Sequence, residues 1–354
     1  MTKGWQVLKS LSRRSLIFLA AAIAGVIFIG FEVYPSGPKE SWSGSGSGEV
    51  AIEIPAGVNL TEVGRILAEA GVVETASFFA IATYDREEAK LIQPGRYQMA
   101  LRMGSDEAID RLLDPNSRLQ LTVLLQEGLR LSQAITAIAN QLDRAAEEVQ
   151  DAIKRLEAGK LAVKLPDYAN DSAEGFLYPA TYQFSDNVSI SEVLEAMVRR
   201  YYQMEEKVEL TQSADELGFT PREVLTMASL VEAEAFPIDF GKVARTIRNR
   251  LDANMPLQFD ATVNYALGTN KLLFTKEEFS FDSPYNTYRY QGLPPGPIGA
   301  PGEAAVVAVL SAPKGDWLYF VSTNPDQGIT KFTGSYREFL KFRAEFQQWY
   351  RENR

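Results

Sequence analysis

The chain of 354 residues contains no cysteine and no histidine. The first absence removes disulfides, thiol nucleophiles, thiolate metal sites and a lipidated N-terminal cysteine. The second removes every Ser-His, Cys-His and His-metal constellation. Acid–base chemistry here must therefore run on Asp, Glu, Lys or Tyr. Positive charge is also scarce, and the formal net charge is −10. Lys3, Lys9, Arg13 and Arg14 meet no acid in the first 31 residues, so the remainder is more acidic still. Such a body is a poor partner for nucleic acid, which needs a basic face. What is present is globular in kind, with 45% hydrophobic and 23% charged residues. The length fits two or three domains.

Residues 15–31 form a long uncharged run, at the lower limit for a bilayer span. The basic residues ahead of it predict an N-terminus in the cytoplasm and a body outside. No small-x-small cleavage site closes the run, so a retained anchor is expected rather than a cleaved signal peptide. This divides the start of the chain into a cytoplasmic tail (1–14), a transmembrane anchor (15–34) and a Gly/Ser linker (35–48). The linker composition predicts flexible coil spanning roughly 20 Å.

The folded part opens at residue 49. Val50, Ile52 and Ile54 alternate as in a strand, and Leu60, Val63, Ile66 and Leu67 have helical spacing with Gly71 as a stop. A helix over 77–84, a short strand and a further helix complete a small α+β module over 49–117. A larger domain follows over 118–354, with its core over 174–350. Leu119, Leu121, Val123 and Leu125 alternate as a strand, and Glu127-Gly128 turns the chain into a helix that Ser132 can cap. A polar helical stretch follows. "EGFLYPATYQF" (174–184) reads as an aromatic, turn-rich loop, and a helix covers 190–206. The two strand-then-Glu-Gly segments are too weakly alike to count as a repeat.

The stretch "TPREVLTMASLVEAEAFP" (220–237) has strong punctuation. Thr220 can cap, Pro221 suits the first helical position, and Glu223 can complete a capping box. Phe236-Pro237 is the stop. Between them almost everything is apolar or small, so the helix is expected to be buried on most sides. Glu232 and Glu234 lie about 200° apart on it, at roughly 100° per residue, so they cannot share one pocket. Apolar company raises a carboxyl pKa, and a helix C-terminus disfavours negative charge. A carboxyl kept protonated near neutrality is what a general acid for glycosidic cleavage requires. On helix geometry alone, solvated glutamates, or pairs with Arg245, Arg248 or Arg250, are the commoner explanation, since ion pairs also populate such sites.

Downstream, "LQFDATVNYALG" (257–268), "YNTY" (285–288), "GLPPGPI" (292–298) and Pro301-Gly302, taken with "MASLVEAE", closely resemble the endolytic murein transglycosylase family (MltG-type, YceG-like). "EGLRL" and "EGFLYPATYQF" also look like the family, and the module over 49–117 is similar to its LysM-like module. The resemblance covers nearly the whole chain. It implies an α+β fold in three parts: transmembrane helix, small LysM-like module and larger catalytic domain. It implies a single-pass protein of the bacterial cytoplasmic membrane, with the N-terminus inside and the catalytic domain outside.

The implied activity is internal cleavage of nascent peptidoglycan glycan strands between N-acetylmuramic acid and N-acetylglucosamine. This leaves 1,6-anhydromuramyl ends and terminates elongation. The family's catalytic glutamate maps to Glu232. One carboxyl can serve both steps, protonating the leaving oxygen and then taking the proton of the C6 hydroxyl. Glycan strands, the membrane and peptidoglycan synthases are the implied partners. No cofactor and no metal are expected.

Gln258, Asp260, Thr262, Tyr285, Asn286, Thr287 and Tyr288 are the candidate substrate-binding residues. Each also has a plainer role, such as satisfying loop backbone or burying a bonded phenol. Asp260 is the best second carboxylate should the reaction be a hydrolysis, which needs one about 5–5.5 Å or roughly 6.5–9.5 Å away. The site is expected in a cleft between module and catalytic domain. The chain departs from the family where histidines are usual, with Thr330 and Phe339 in their places, and it has Ala233 and Ala261 where the family differs. A non-catalytic wall-binding scaffold therefore stands as a rival.

Overall fold

The computed structural model describes residues 41–271 and 273–353. The expected cytoplasmic tail, the anchor and the start of the linker lie outside the described residues. Among the described residues no helix is long and apolar enough to cross a membrane. The chain divides into two compact units between Leu119 and Gln120. Mixed α and β structure runs through both, with every described sheet two-stranded and antiparallel.

In the first unit, β1 (Ser47–Ile54) pairs with β2 (Gly95–Leu101), with Ile52 opposite Tyr97 and Ile54 opposite Gly95. The period-2 pattern buries Ile52 and Ile54 and leaves Glu53 exposed, as a one-sided sheet requires. Helices α1 (Leu60–Glu69), α2 (Ala76–Tyr84) and α3 (Ser105–Leu113) pack on that face. Asn59 and Thr75 start the first two, their side chains accepting from the N–H groups of Glu62 and Phe78. Each such cap stabilises a helix by about 1 kcal/mol.

The Gly/Ser stretch expected as coil through Gly48 ends earlier. Ser47 and Gly48 already belong to β1. The Gly44 carbonyl accepts from Gly104 at 2.9 Å, and its N–H donates to Glu107 at 3.1 Å. At Gly46, with φ +72°, an added Cβ would collide with the Leu101 carbonyl. Composition reads glycine as flexible, whereas here it permits a close backbone approach.

In the second unit, β3 (Gln120–Leu124) pairs with β4 (Thr181–Ser185), Val123 opposite Tyr182. The end of the expected aromatic loop is thus a strand, paired with residues some sixty positions earlier. Helices α4 (Leu131–Leu142), α5 (Ala146–Glu157) and α6 (Ile190–Lys207) close a core with Val123, Ile138, Ile153 and Met197. Ser132 does not cap α4. Arg130 holds that position, and the Gln133 side chain accepts from its N–H at 3.0 Å.

After the short α7 (Leu210–Glu216), α8 (Pro221–Glu234) forms the axis of the other core. Every residue from Val224 to Val231 is buried, the state of a helix apolar all round. Its two hydroxyls are satisfied in place, Thr226 donating to Arg222 O at 2.8 Å and Ser229 to Thr226 O at 2.7 Å. The Thr220–Glu223 capping box starts it, and the backbone turns extended at Ala235. Around it stand α9 (Phe240–Asp252), α10 (Asp260–Leu267) and α12 (Glu303–Leu310), with the short α11 (Lys276–Phe279) beside α10. A hairpin of β5 (Tyr319–Asn324) and β6 (Ile329–Thr333) and the terminal α13 (Tyr336–Asn353) complete the unit.

Because α8 has no solvated face over its middle, Leu230→Ala should cost about 2–5 kcal/mol in denaturant unfolding. Ile238→Ala, at an 87% exposed position just beyond the helix, should stay within about 0.5 kcal/mol. Equal effects would contradict the placement of this core.

Candidate active site

The two glutamates of α8 meet different surroundings. Glu232 Oε2 accepts the backbone N–H of Gly302 at 3.1 Å. Gly302 is the N-cap residue of α12, where unpaired N–H groups and the helix dipole favour a carboxylate. Burial opposes this and raises the Glu232 pKa, and the negative charge of Glu127 raises it further. The group is therefore held toward its protonated form, with an N–H ready to receive the anion.

Three loops build that arrangement. Residues 127–131 lie along 299–302: Gly128 N–H donates to Ala300 O at 2.7 Å, and Ala300 N–H donates to Leu129 O at 2.9 Å. A Cβ at Gly299 would stand 2.6 Å from Gly128 O, and one at Gly302 would collide with the Glu127 carboxylate. Ser229, three residues before Glu232 in α8, accepts the Ile298 N–H at 3.0 Å and ties the same loop to the helix. In the third loop, a Cβ at Gly175 would come within 2.7 Å of Pro297. Arg222 anchors the loop's start, donating to Pro295 O at 3.1 Å and Ala169 O at 2.6 Å.

Glu174 locks two of these loops together. Its carboxyl is buried and accepts Leu131 N–H at 2.9 Å and the Tyr265 hydroxyl at 3.0 Å. Burial pushes its pKa up to about 7, against the pull of those two hydrogen bonds and of Arg130. Tyr285 joins here, its ring centroid 4.6 Å from that of Tyr265. Tyr178 is buried, and burial raises its phenol pKa, as do the charges of Glu303 and Glu127.

Glu234 has another environment. It accepts Ala261 N–H at 2.9 Å, and burial pushes its pKa up to about 7, helped by the charge of Asp260. Asp260 accepts the Tyr288 hydroxyl at 2.6 Å, and its own pKa is raised by burial. Asp260, expected as the second carboxylate beside Glu232, thus stands with Glu234. The carboxylate whose charge acts on Glu232 is Glu127.

The remaining candidates divide the same way. Thr262, Asn286 and Thr287 are buried. Thr262 donates to Phe259 O at 2.6 Å, and its Oγ1 lies 2.9 Å from that of Thr287. Thr287 Oγ1 also accepts Phe259 N–H at 3.0 Å. Asn286 donates to Phe279 O and Phe281 O at 3.0 and 2.8 Å and accepts Tyr288 N–H at 3.0 Å. These three hold loop backbone together. Gln258 is exposed at φ +52°, its N–H donating to Thr287 O at 3.2 Å.

Glu127 and Glu174 were not singled out in the sequence. The signal is the Glu-Gly pair in each of two family-like segments, where the glycine permits a close approach; Glu174 is buried there and Glu127 stays exposed. Among the described residues no group of three Asp or Glu stands close enough to hold a metal ion.

The sequence model of the YceG-like family matches residues 52–345. The endolytic murein transglycosylase of Bacillus subtilis is 30% identical over 312 residues, covering 84% of each chain. That of Streptococcus pneumoniae is 29% identical over 336 residues, covering 87% of this chain and 60% of the relative. The crystal structure of a yceG-like protein of Listeria monocytogenes is similar with a TM-score of 0.57 and 29% identity. That match covers 83% of this chain and 98% of the other.

The Glu174 lock has a pH signature. A carboxyl raised from 4.5 to about 7 by folding stabilises the fold fully below the unfolded value. That contribution is lost as pH climbs through the folded one. Over this window the Glu174 contribution should fall by up to ~3 kcal/mol, at about 1.4 kcal/mol per pKa unit, beside that of Glu234, which the variant keeps. Glu174→Gln keeps an acceptor for Leu131 and Tyr265 and should lose less. Denaturant unfolding at pH 4.5 and pH 7.5 measures this, and parallel losses in both proteins would contradict it.

Proposed function

The chain belongs to the YceG-like family, and on that premise we propose that it is a peptidoglycan lytic transglycosylase with Glu232 as its acid and base. The observation that carries the proposal is the Glu232 carboxyl itself. It sits at the end of a buried helix, its pKa raised by burial and by Glu127, with the Gly302 N–H on Oε2.

Protonated Glu232 gives its proton to the glycosidic oxygen as the C1–O bond breaks, and positive charge develops at C1 of the muramic acid. The carboxylate so formed keeps the Gly302 hydrogen bond. It then takes the proton of the C6 hydroxyl as O6 closes onto C1. The proton is returned, no water enters, and the product is a 1,6-anhydro end. General acid–base catalysis of this kind contributes roughly 10²–10⁴-fold.

In this reading the substrate is the nascent glycan strand, cut internally between N-acetylmuramic acid and N-acetylglucosamine, which stops its elongation. The uncharged run at 15–31, with basic residues before it, supports a single-pass anchor in the bacterial cytoplasmic membrane and a catalytic domain outside. The LysM-like module over 49–117 would then be a second glycan contact, and peptidoglycan synthases the natural neighbours. Gln258, with its exposed side chain, is the best supported of the downstream substrate contacts.

One observation favours a second reading. The Glu127 carboxylate lies against Gly302, the residue that donates to Glu232, and two carboxylates can also serve a hydrolase, one as acid and one as base or nucleophile. Such an enzyme would leave reducing ends.

Glu232→Gln should lower strand cleavage by roughly 10²–10⁴-fold while glycan binding persists. Because the acid form is the starting form, wild-type kcat/KM should fall as pH rises past the Glu232 pKa. Cleavage by the variant at the wild-type rate would remove Glu232 from the chemistry.

A further inference from the structure

The turn bearing Glu127 is built with more care than an exposed turn needs. Two backbone hydrogen bonds clamp residues 128 and 129 to Ala300. Gly128 itself has φ +74°, and a Cβ there would stand 3.5 Å from Glu232 Cγ. Gly299 is too close to Gly128 O for a side chain, and one at Gly302 would displace the Glu127 carboxylate from where it lies. The missing side chain at Gly302 leaves room for the exposed Glu127 carboxylate against the residue that donates to Glu232, and the one at Gly299 lets the two backbone segments meet. Like charges brought together disfavour double ionisation, so a carboxylate placed here acts against the ionised form of Glu232.

We propose that Glu127 is a positioning residue for Glu232: its carboxylate, clamped against Gly302, keeps the Glu232 proton in place until the glycosidic oxygen arrives. The inference rests on the transglycosylase reading for its purpose, though not for its physics. The charged and titratable groups around the pair are Tyr178 from the 174–180 loop and Glu303 from the first turn of α12. Lys207 of α6 pairs with Glu303 at 2.5 Å, and the Arg200 guanidinium lies 6.0 Å from the Tyr178 ring centre. Both cations are thus engaged beside the pair, and Glu127 is the charge that acts on Glu232.

The test compares wild type, Glu127→Gln and Glu127→Asp in the full chain. The Glu232 carboxyl is titrated by carbon-13 NMR of glutamate-labelled protein, with Glu232→Gln to assign the signal. Strand cleavage is followed over the same pH range. The expected result for Glu127→Gln is a midpoint at lower pH and an activity loss that grows as pH rises and fades on the acid side. Glu127→Asp, which keeps the charge, should titrate close to wild type. An unmoved or raised midpoint in Glu127→Gln overturns the proposal, as does an activity loss equal at every pH. Absence of anhydro ends from wild type would instead count against the transglycosylase reading, and the titration would still judge Glu127.

Discussion

The hydrogen bond from Gly302 N–H to Glu232 Oε2 is the contact on which the candidate site of the second unit depends. It joins the C-terminal end of one helix to the N-terminal end of another. At its own helix end, Glu232 faces carbonyls that disfavour charge. At the end of α12 it meets N–H groups that favour it. Burial and Glu127 tip the balance toward the neutral acid, while the N–H keeps the anion accessible. A group meant to release and recover one proton needs both states within reach.

Delivering that N–H explains much of the surrounding backbone. The 298–302 segment is held from α8 by Ser229, from the 127–131 turn by the Gly128 and Leu129 exchanges, and from the 174–178 loop by Gly175 against Pro297. Glu174 then joins the turn to α10 through Leu131 and Tyr265. Each tie spans a long stretch of chain. The site and the fold therefore share their supports, and small residues at 128, 299 and 302 serve both.

What the sequence reveals of this is uneven. The course of α8 is legible because its signals are local: Thr220, Pro221 and Glu223 at the start, Phe236-Pro237 at the stop, an apolar run between. The divergence of Glu232 and Glu234 follows from helical pitch alone. Strand β4 is hidden, because an aromatic turn-rich segment becomes a strand only through a distant partner. The company of each carboxylate is hidden for the same reason: Asp260 lies close to Glu232 in sequence yet stands beside Glu234, whereas Glu127 comes from far upstream. Thr262, Asn286 and Thr287 look like ligands in a motif, and the fold uses them as internal supports. Polar residues of a loop and polar residues of a binding site have the same composition, and only burial separates them.

The central claim is that Glu232 returns its proton through an intramolecular hydroxyl, with no water consumed. Cleavage of uncrosslinked glycan strands in oxygen-18 water, followed by mass spectrometry of the new ends, tests it most directly. Anhydro ends free of the heavy isotope are predicted. Reducing ends that carry one oxygen-18 would contradict the account and make Glu127 the partner of Glu232 in a hydrolysis.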